Sequence, residues 1–460
     1  MASICTSNVT SGFIDLATFD EIEKYLYGGP DATAYFVRET RKSTWFTQVP
    51  VVLSRASGSP AFNQEWAVSI SRAGDYLLHT WLRLQTPAVQ LSAAALAAGN
   101  TNLRWTRNFM HNIIRECCVT FNDLVAARFD NYHLDFWAAF TVPAGKRNGY
   151  NNMIGNFAAM TQGVVGAAVL PAFTLNLPLP FFYSRDSGVA LPTAALPYNE
   201  MRINFAFRNW TDLLIMSNNA LAAEQRVLMT AADLQGGDPV LGVTQVWADY
   251  AIVSNDERKR MACAPRDILI EQVQTAPRQA YTPATNPQQS FDVRFSHAIK
   301  VLFFSVRNRT FQSEWSNYMT ASPVTAGAIT NFTPAGSADP ILQTSLIYEN
   351  TNRLAQMGSD YFSLVNPYFH APVIPLDTGL HCYSYSLDFI CLDPMGSTNY
   401  GKLTNVSIVP EASQAAITAA AGGGAAGSGA NFTQLYEFII TAVNNNIIRI
   451  SGGALGFPVL

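Results

Sequence analysis

The sequence predicts a mainly β protein, a sandwich or barrel of short antiparallel strands, on three observations. Several segments alternate apolar and polar residues at period two, the mark of strands with one face on a core. Twenty-four Pro and 29 Gly punctuate the chain at short intervals. Helical periodicity is scarce and confined to brief stretches, which leaves sheet as the main way to bury apolar surface.

Taken in order, the first element is a helix. Thr18-x-x-Glu21 has the form of a capping box, Phe19, Ile22 and Leu26 follow on one helical face, and Gly28-Gly29-Pro30 stops the turn. Tyr76 to Leu84 is apolar nearly throughout and reads as a strand covered on both faces. Cys117 and Cys118 point to opposite faces of a strand, where a free thiol behaves as a small hydrophobe. Met201, Ile203, Phe205 and Phe207 face a core, with Arg202, Asn204 and Arg208 turned away. Ser254-x-x-Glu257 repeats the capping signature and Pro265 closes that helix, so its charged run marks a domain boundary.

Beyond the boundary, Ile299 to Val306 is a second strand of the doubly covered kind. Tyr383, Tyr385, Leu387 and Phe389 alternate against Ser384, Ser386 and Asp388. Leu403 to Val409 reads as a strand, and the Ala-, Gly- and Ser-rich stretch 415–430 reads as a flexible loop. The halves echo each other. Gly74-Asp75 before one strand answers to Ser296-His297 before the other, Asn122-Asp123 to Glu349-Asn350, and Asp186-Ser187-Gly188 to Asp377-Thr378-Gly379. Three echoes in one order predict two similar β domains.

Composition restricts the function. Hydrophobic residues make up 48% of the 460 and charged residues only 13%, about half the usual charged share. No apolar run reaches the 18 residues or more of a membrane helix, so the surplus apolar surface is expected to meet other protein. A net charge of −4 lacks the basic footprint of a nucleic-acid binder, and no direct nucleic-acid partner is expected. Of 29 basic residues 23 are Arg, the cation favoured at protein interfaces. Six cysteines without a C-x-x-C pair, and no signal peptide, predict synthesis in a reducing compartment.

No motif assembles a catalytic centre, and no catalytic residue, cofactor or metal is expected. Gly396-Ser397-Thr398-Asn399-Tyr400-Gly401-Lys402 nearly spells a phosphate loop. It is followed by Leu403, where magnesium needs Ser or Thr, and by a strand instead of a helix. The best metal remnant is His381-Cys382 with Cys391, and free cysteine is more often core. No nucleophile elbow occurs. Asp20-Glu21 and Asp256-Glu257 sit at helix starts, where they favour the dipole.

Several segments resemble the major capsid protein of iridoviruses. They run from Asn8-Val9-Thr10-Ser11-Gly12-Phe13-Ile14-Asp15 through Tyr150-Asn151-Asn152-Met153-Ile154-Gly155, Leu177-Pro178-Leu179-Pro180-Phe181-Phe182 and Arg294-Phe295-Ser296-His297 to the terminal Gly456-Phe457-Pro458-Val459-Leu460. The resemblance implies a double jelly roll, two consecutive eight-stranded antiparallel rolls. It implies an N-terminal arm over 1–30, a first roll over 31–255, a linker helix over 256–265 and a second roll over 266–460. It further implies a homotrimer that packs beside neighbouring capsomers in an icosahedral virion shell, assembled in the host cytoplasm, with minor capsid and penton proteins as partners. In similar proteins the arm lies towards those minor proteins and the internal viral membrane, which nominates Phe13, Ile14, Leu16, Phe19, Ile22 and Leu26 for assembly. The alternative on the residues is a jelly-roll module that binds carbohydrate on an aromatic cleft for attachment.

Overall fold

The computed structural model describes residues 2–218, 225–320, 339–422 and 433–458. Residues 1–45 and 46–460 form two separate compact units. The arm carries α1 (Ala2–Ala17), which the sequence reading did not anticipate, and α2 (Glu21–Tyr27). The cap of α2 also differs from expectation. Asp20 is the capping residue and its N–H donates to Glu23 Oε2 at 3.3 Å, because Thr18 is engaged with the Asp15 carbonyl. Phe19 lies in the break between the helices, outside the stripe expected for it.

Among the described residues of the larger unit, sixteen strands build the four antiparallel sheets of two repeated halves, and a fifth sheet pairs Asn102–Trp105 with Leu214–Asn218. The first eight are β1 (Phe46–Val52), β2 (Glu65–Ser69), β3 (Tyr76–Gln85), β4 (Ile114–Phe121), β5 (Leu124–Phe129), β6 (Thr174–Pro178), β7 (Met201–Phe207) and β8 (Thr244–Val253). Their pairing order is β1-β8-β3-β6 in one sheet and β2-β7-β4-β5 in the other, with Ser54–Gly58 added beside β2. Between β5 and β6 the chain forms the helices α3 (Asn131–Thr141) and α4 (Ala144–Ile154), and α5 (Asn255–Cys263) follows β8.

The next eight are β9 (Arg266–Thr275), β10 (Phe291–Asp292), β11 (Ala298–Asn308), β12 (Ile341–Tyr348), β13 (Thr351–Gly358), β14 (His381–Ser384), β15 (Val406–Ala412) and β16 (Tyr436–Ser451). They pair as β9-β16-β11-β14 and β10-β15-β12-β13. Each half therefore joins its first, eighth, third and sixth strands in one sheet and its second, seventh, fourth and fifth in the other. That is the double jelly roll.

The rolls agree in detail. In each, the third strand slips register against the eighth around one extra residue, Leu78 in β3 and Lys300 in β11. In each, the fourth and fifth strands join through two residues with positive φ, Asn122-Asp123 and Glu349-Asn350, as a tight right-twisted hairpin requires. The Asn122 N–H donates to the Glu200 carbonyl just before β7, and the Glu349 N–H to the Asn405 carbonyl just before β15.

Several expectations are corrected. β7 alternates as read, but Arg208 beyond its end is only 9% exposed, because it lies against Trp315 of the other roll. β3 is covered on one face only; β11 is covered on both. β14 stops at Ser384. Beyond it, Ser384 and Ser386 hydroxyls bond to the carbonyls two residues on, turning Leu387 outward at 69% exposure and Ser386 inward. β15 begins at Val406 rather than Leu403. The head of the Ala-rich stretch forms α6 (Gln414–Ala420), capped by Ser413 and seated on Ala416 and Ala419; residues 423–430 of that expected loop lie outside the described residues.

Candidate assembly surfaces

Two kinds of surface stand out: one closed within the chain, and others left open. The closed one joins the rolls. Asp130 caps α3 by accepting from the His133 N–H at 3.0 Å, which aims Phe136 and Phe140 across the seam. Both stack on Phe303 of β11, at centroid distances of 5.8 and 5.4 Å. Val301, Phe303, Ile439 and Val443, on the outer side of the second roll's sheet, belong to one apolar cluster with the interior of the first roll. The second roll's own interior forms a separate cluster.

Charges are buried in the same seam. Glu271 of β9 accepts from Arg185 of the first roll and from Lys300, which is 0% exposed and also donates to the Cys391 carbonyl at 2.7 Å. Arg185 lies 4.5 Å over the Trp137 ring and donates to the Ile390 carbonyl. Arg208 and Arg307 sandwich Trp315 at 3.8 and 3.7 Å, and Arg104 pairs with Glu314 at 3.1 Å. Asp135 accepts from His111 Nδ1, Asn108 Nδ2, Ser316 Oγ and the Tyr318 hydroxyl, two donors from each roll. A buried charge is tolerable only when paired and hydrogen-bonded in this way. Burial also pushes His133 down to about 3, so it is neutral in the seam.

None of these side chains had been singled out for a role from sequence. Lys300 carried a usable signal: a lone Lys inside the apolar run from Ile299 to Val306 demands a buried carboxylate. Which carboxylate answers depends on tertiary packing.

Two clusters imitate catalytic sets. Ser359, His381 and Asp339 meet, yet Ser359 and Asp339 both bond to Nε2 of His381 while Nδ1 has no hydrogen-bond partner among the described residues. A relay needs one on each nitrogen. His381 and Ser359 are also wholly buried. In the second cluster, His111 bridges Asp135 and the Tyr150 hydroxyl, and Ser316 bonds to Asp135 rather than to the imidazole. Near Cys382, whose thiol burial pushes up, His381 is already occupied; among the described residues no group of three His, Cys, Asp or Glu is arranged for a metal. Glu349 fills the near-phosphate loop's end, accepting from Thr404 N–H, Thr404 Oγ1 and Asn405 N–H. A carboxylate there repels phosphate.

The open surfaces are apolar. On the first roll, Trp81 stacks on Trp247 at 6.2 Å on the outer side of its sheet, half-buried. Beside them opens a cavity of about 850 Å³ between that sheet and α3–α4, walled by Trp81, Pro178, Trp137, Val142 and Met153. On the second roll, Tyr368 and Phe369 are about 70% exposed on the short helix Asn366–His370. In the arm, Phe13, Ile14 and Leu16 lie on α1, Ile22 and Leu26 on α2 and Phe19 between them, with exposures from 52% at Phe19 to 74% at Leu16.

Comparison with known proteins gives a concordant set. Two family models match in chain order, the major capsid protein N-terminus over residues 34–253 and the large eukaryotic DNA virus major capsid protein over residues 257–456. The chain is 69% identical to the major capsid protein of Costelytra zealandica iridescent virus over 100% of both chains. Identity is 52% to that of Lymphocystis disease virus 1 and 47% to that of Frog virus 3, again over 100% of both chains. Among solved structures, the PBCV-1 virus capsid matches with a TM-score of 0.72 at 20% identity, over 93% of this chain and 100% of that one. The Faustovirus major capsid protein matches with a TM-score of 0.70 at 12% identity, over 94% and 95%. These two likenesses are of fold.

Proposed function

The chain belongs to the major capsid proteins of large eukaryotic DNA viruses, a structural component of the virion, and we propose that it acts as a homotrimeric capsomer without catalytic chemistry. Three chains would present six similar rolls, a pseudo-hexagonal block able to tile an icosahedral shell. The observation that carries this is the buried seam. A second roll whose outer sheet face shares the first roll's core cannot swing free, so each chain is a rigid two-roll brick.

In this reading the first roll covers residues 31–255, the linker helix 256–265 and the second roll 266–460. The arm over 1–30 engages other partners of the particle, the minor capsid and penton proteins or the internal viral membrane, through Phe13, Ile14, Leu16, Phe19, Ile22 and Leu26. Assembly takes place in the host cytoplasm. Exposed apolar patches of this kind mark interaction surfaces. Gel filtration with light scattering tests the central claim: the purified protein is expected at three times 50.3 kDa, and a stable monomer at micromolar concentration would count decisively against it.

A further inference from the structure

The rolls superpose in topology and in the position of their bulges, so residues can be matched one to one. With Leu78 equivalent to Lys300, His79 corresponds to Val301, Trp81 to Phe303 and Arg83 to Ser305. The inner residues behave alike, since Leu77, Thr80 and Leu82 are as buried as Ile299, Leu302 and Phe304. The outer residues do not. Val301, Phe303 and Ser305 are fully buried, whereas His79 and Arg83 are exposed and Trp81 is half-buried.

The cause is visible within the chain. The helices between the fifth and sixth strands of the first roll lay Phe136 and Phe140 on Phe303, and the loop after the sixth strand adds Arg185. In the second roll the segment between its fifth and sixth strands carries Tyr368 and Phe369, and the loop after its sixth strand carries Leu387, all strongly exposed. One roll thus has a face without its cover, and the other has a cover without its face.

We propose that the occupant of the Trp81–Trp247 face and its adjoining cavity is a second copy of this chain, which inserts Tyr368 and Phe369 and repeats between chains the packing seen between rolls. The contact is heterologous, knob of one copy into the groove of the next, and such contacts close into rings or run on as filaments. Closure at three chains rests on the trimer reading above. The aromatic pairs on both sides suit the desolvated centre of an interface, where Trp and Tyr carry most of the binding energy.

The test uses the full chain and two variants. Tyr368→Glu with Phe369→Glu removes the knob at exposed positions. Gly149→Trp blocks the groove, since Gly149 lines the cavity and a Cβ there meets nothing within 4 Å. Circular dichroism and melting check that both fold. Each variant alone is expected to run as a single chain, with association weakened about tenfold or more, as charge or bulk at a hot spot does. Mixed one to one, they are expected to form a two-chain species and no trimer, because one intact knob and one intact groove make a single junction. Two folded variants that still trimerise like the parent, or a folded mixture that stays monomeric, overturn the inference while leaving the trimer itself standing. A parent protein that is monomeric removes the trimer reading instead.

Discussion

At the bulge of the third strand one roll holds Leu78 and the other Lys300. The backbone there is the same, and the surroundings are opposite. Leu78 is half-buried on the open side of its sheet, whereas Lys300 is sealed beneath the first roll with Glu271 and the Cys391 carbonyl. The difference teaches that a strand's inner face is decided by its own roll and its outer face by whatever the rest of the assembly lays on it. A fold that occurs twice in one chain can thus have one set of positions alike in character and the other set unlike in polarity and size.

The most severe way to break this comparison is to strip one charge from the seam. Lys300→Met leaves Glu271 with Arg185 alone, and Glu271→Gln strands an ammonium. Each is expected to cost about 3–5 kcal/mol, as breaking a buried pair does, while Leu78→Met at the equivalent position costs less than about 1.5 kcal/mol. Urea titration of the three variants measures the gap, and equal losses would show that the surroundings of the two positions do not differ in the way described. Next in size is the aromatic pair. Phe303→Ala should cost about 3–5 kcal/mol in any oligomeric state, whereas Trp81→Ala should act chiefly on association, visible as a fall in trimer rather than in the melting temperature of the separated chain.

Acid provides a milder probe of the same seam. His133 sits near 3 in the folded protein against 6.5 for a free imidazole, because burial and the Arg185 charge both oppose protonation. Its contribution is complete above pH 6.5 and is lost as pH falls towards 3, since only the unfolded chain takes up the proton. About 2 kcal/mol should have gone by pH 5. His133→Phe is expected to remove that slope between pH 7 and 5, and an unchanged slope would mean that another group carries it. The smallest effect is expected from the arm: deleting residues 1–29 should leave the melting temperature within about 1 °C, because no residue described there is buried, yet deform particles on coexpression with viral partners. A large drop in melting temperature would show that the arm belongs to the subunit core.

Local features were readable wherever one chain segment decides its own burial. The alternation of Met201 to Phe207 and the thiols of Cys117 and Cys118 on opposite faces follow from periodicity, and the helix Asn255–Cys263 starts where its charged run predicts, although the Ser254 side chain makes no cap hydrogen bond among the described residues. The echo of Asn122-Asp123 in Glu349-Asn350 was legible as a repeat, whereas the tight hairpins with positive φ that both pairs form came only with the structure. Reading failed where polarity and burial parted company. Arg208 and Ser386 were placed outward because they are polar, but a Trp face and a carbonyl two residues on gave them partners inside. Tyr76 to Leu84 reads as covered on both sides because it is apolar, but on its outer side His79 and Arg83 are exposed and Trp81 is only half-buried.

By itself, then, the sequence determined the β class, the two-part pattern and, through extended resemblance, the kinship with capsid proteins. Strand alternation, turn chemistry and motif spacing are all properties of short stretches, and short stretches are what a sequence states directly. Only the tertiary structure decided that Glu271 answers Lys300, that Phe136 and Phe140 close over Phe303, and that the matching face around Trp81 stays open. Those outcomes join residues far apart along the chain, and the energy of burying a charge or an aromatic ring depends on partners that no local pattern names.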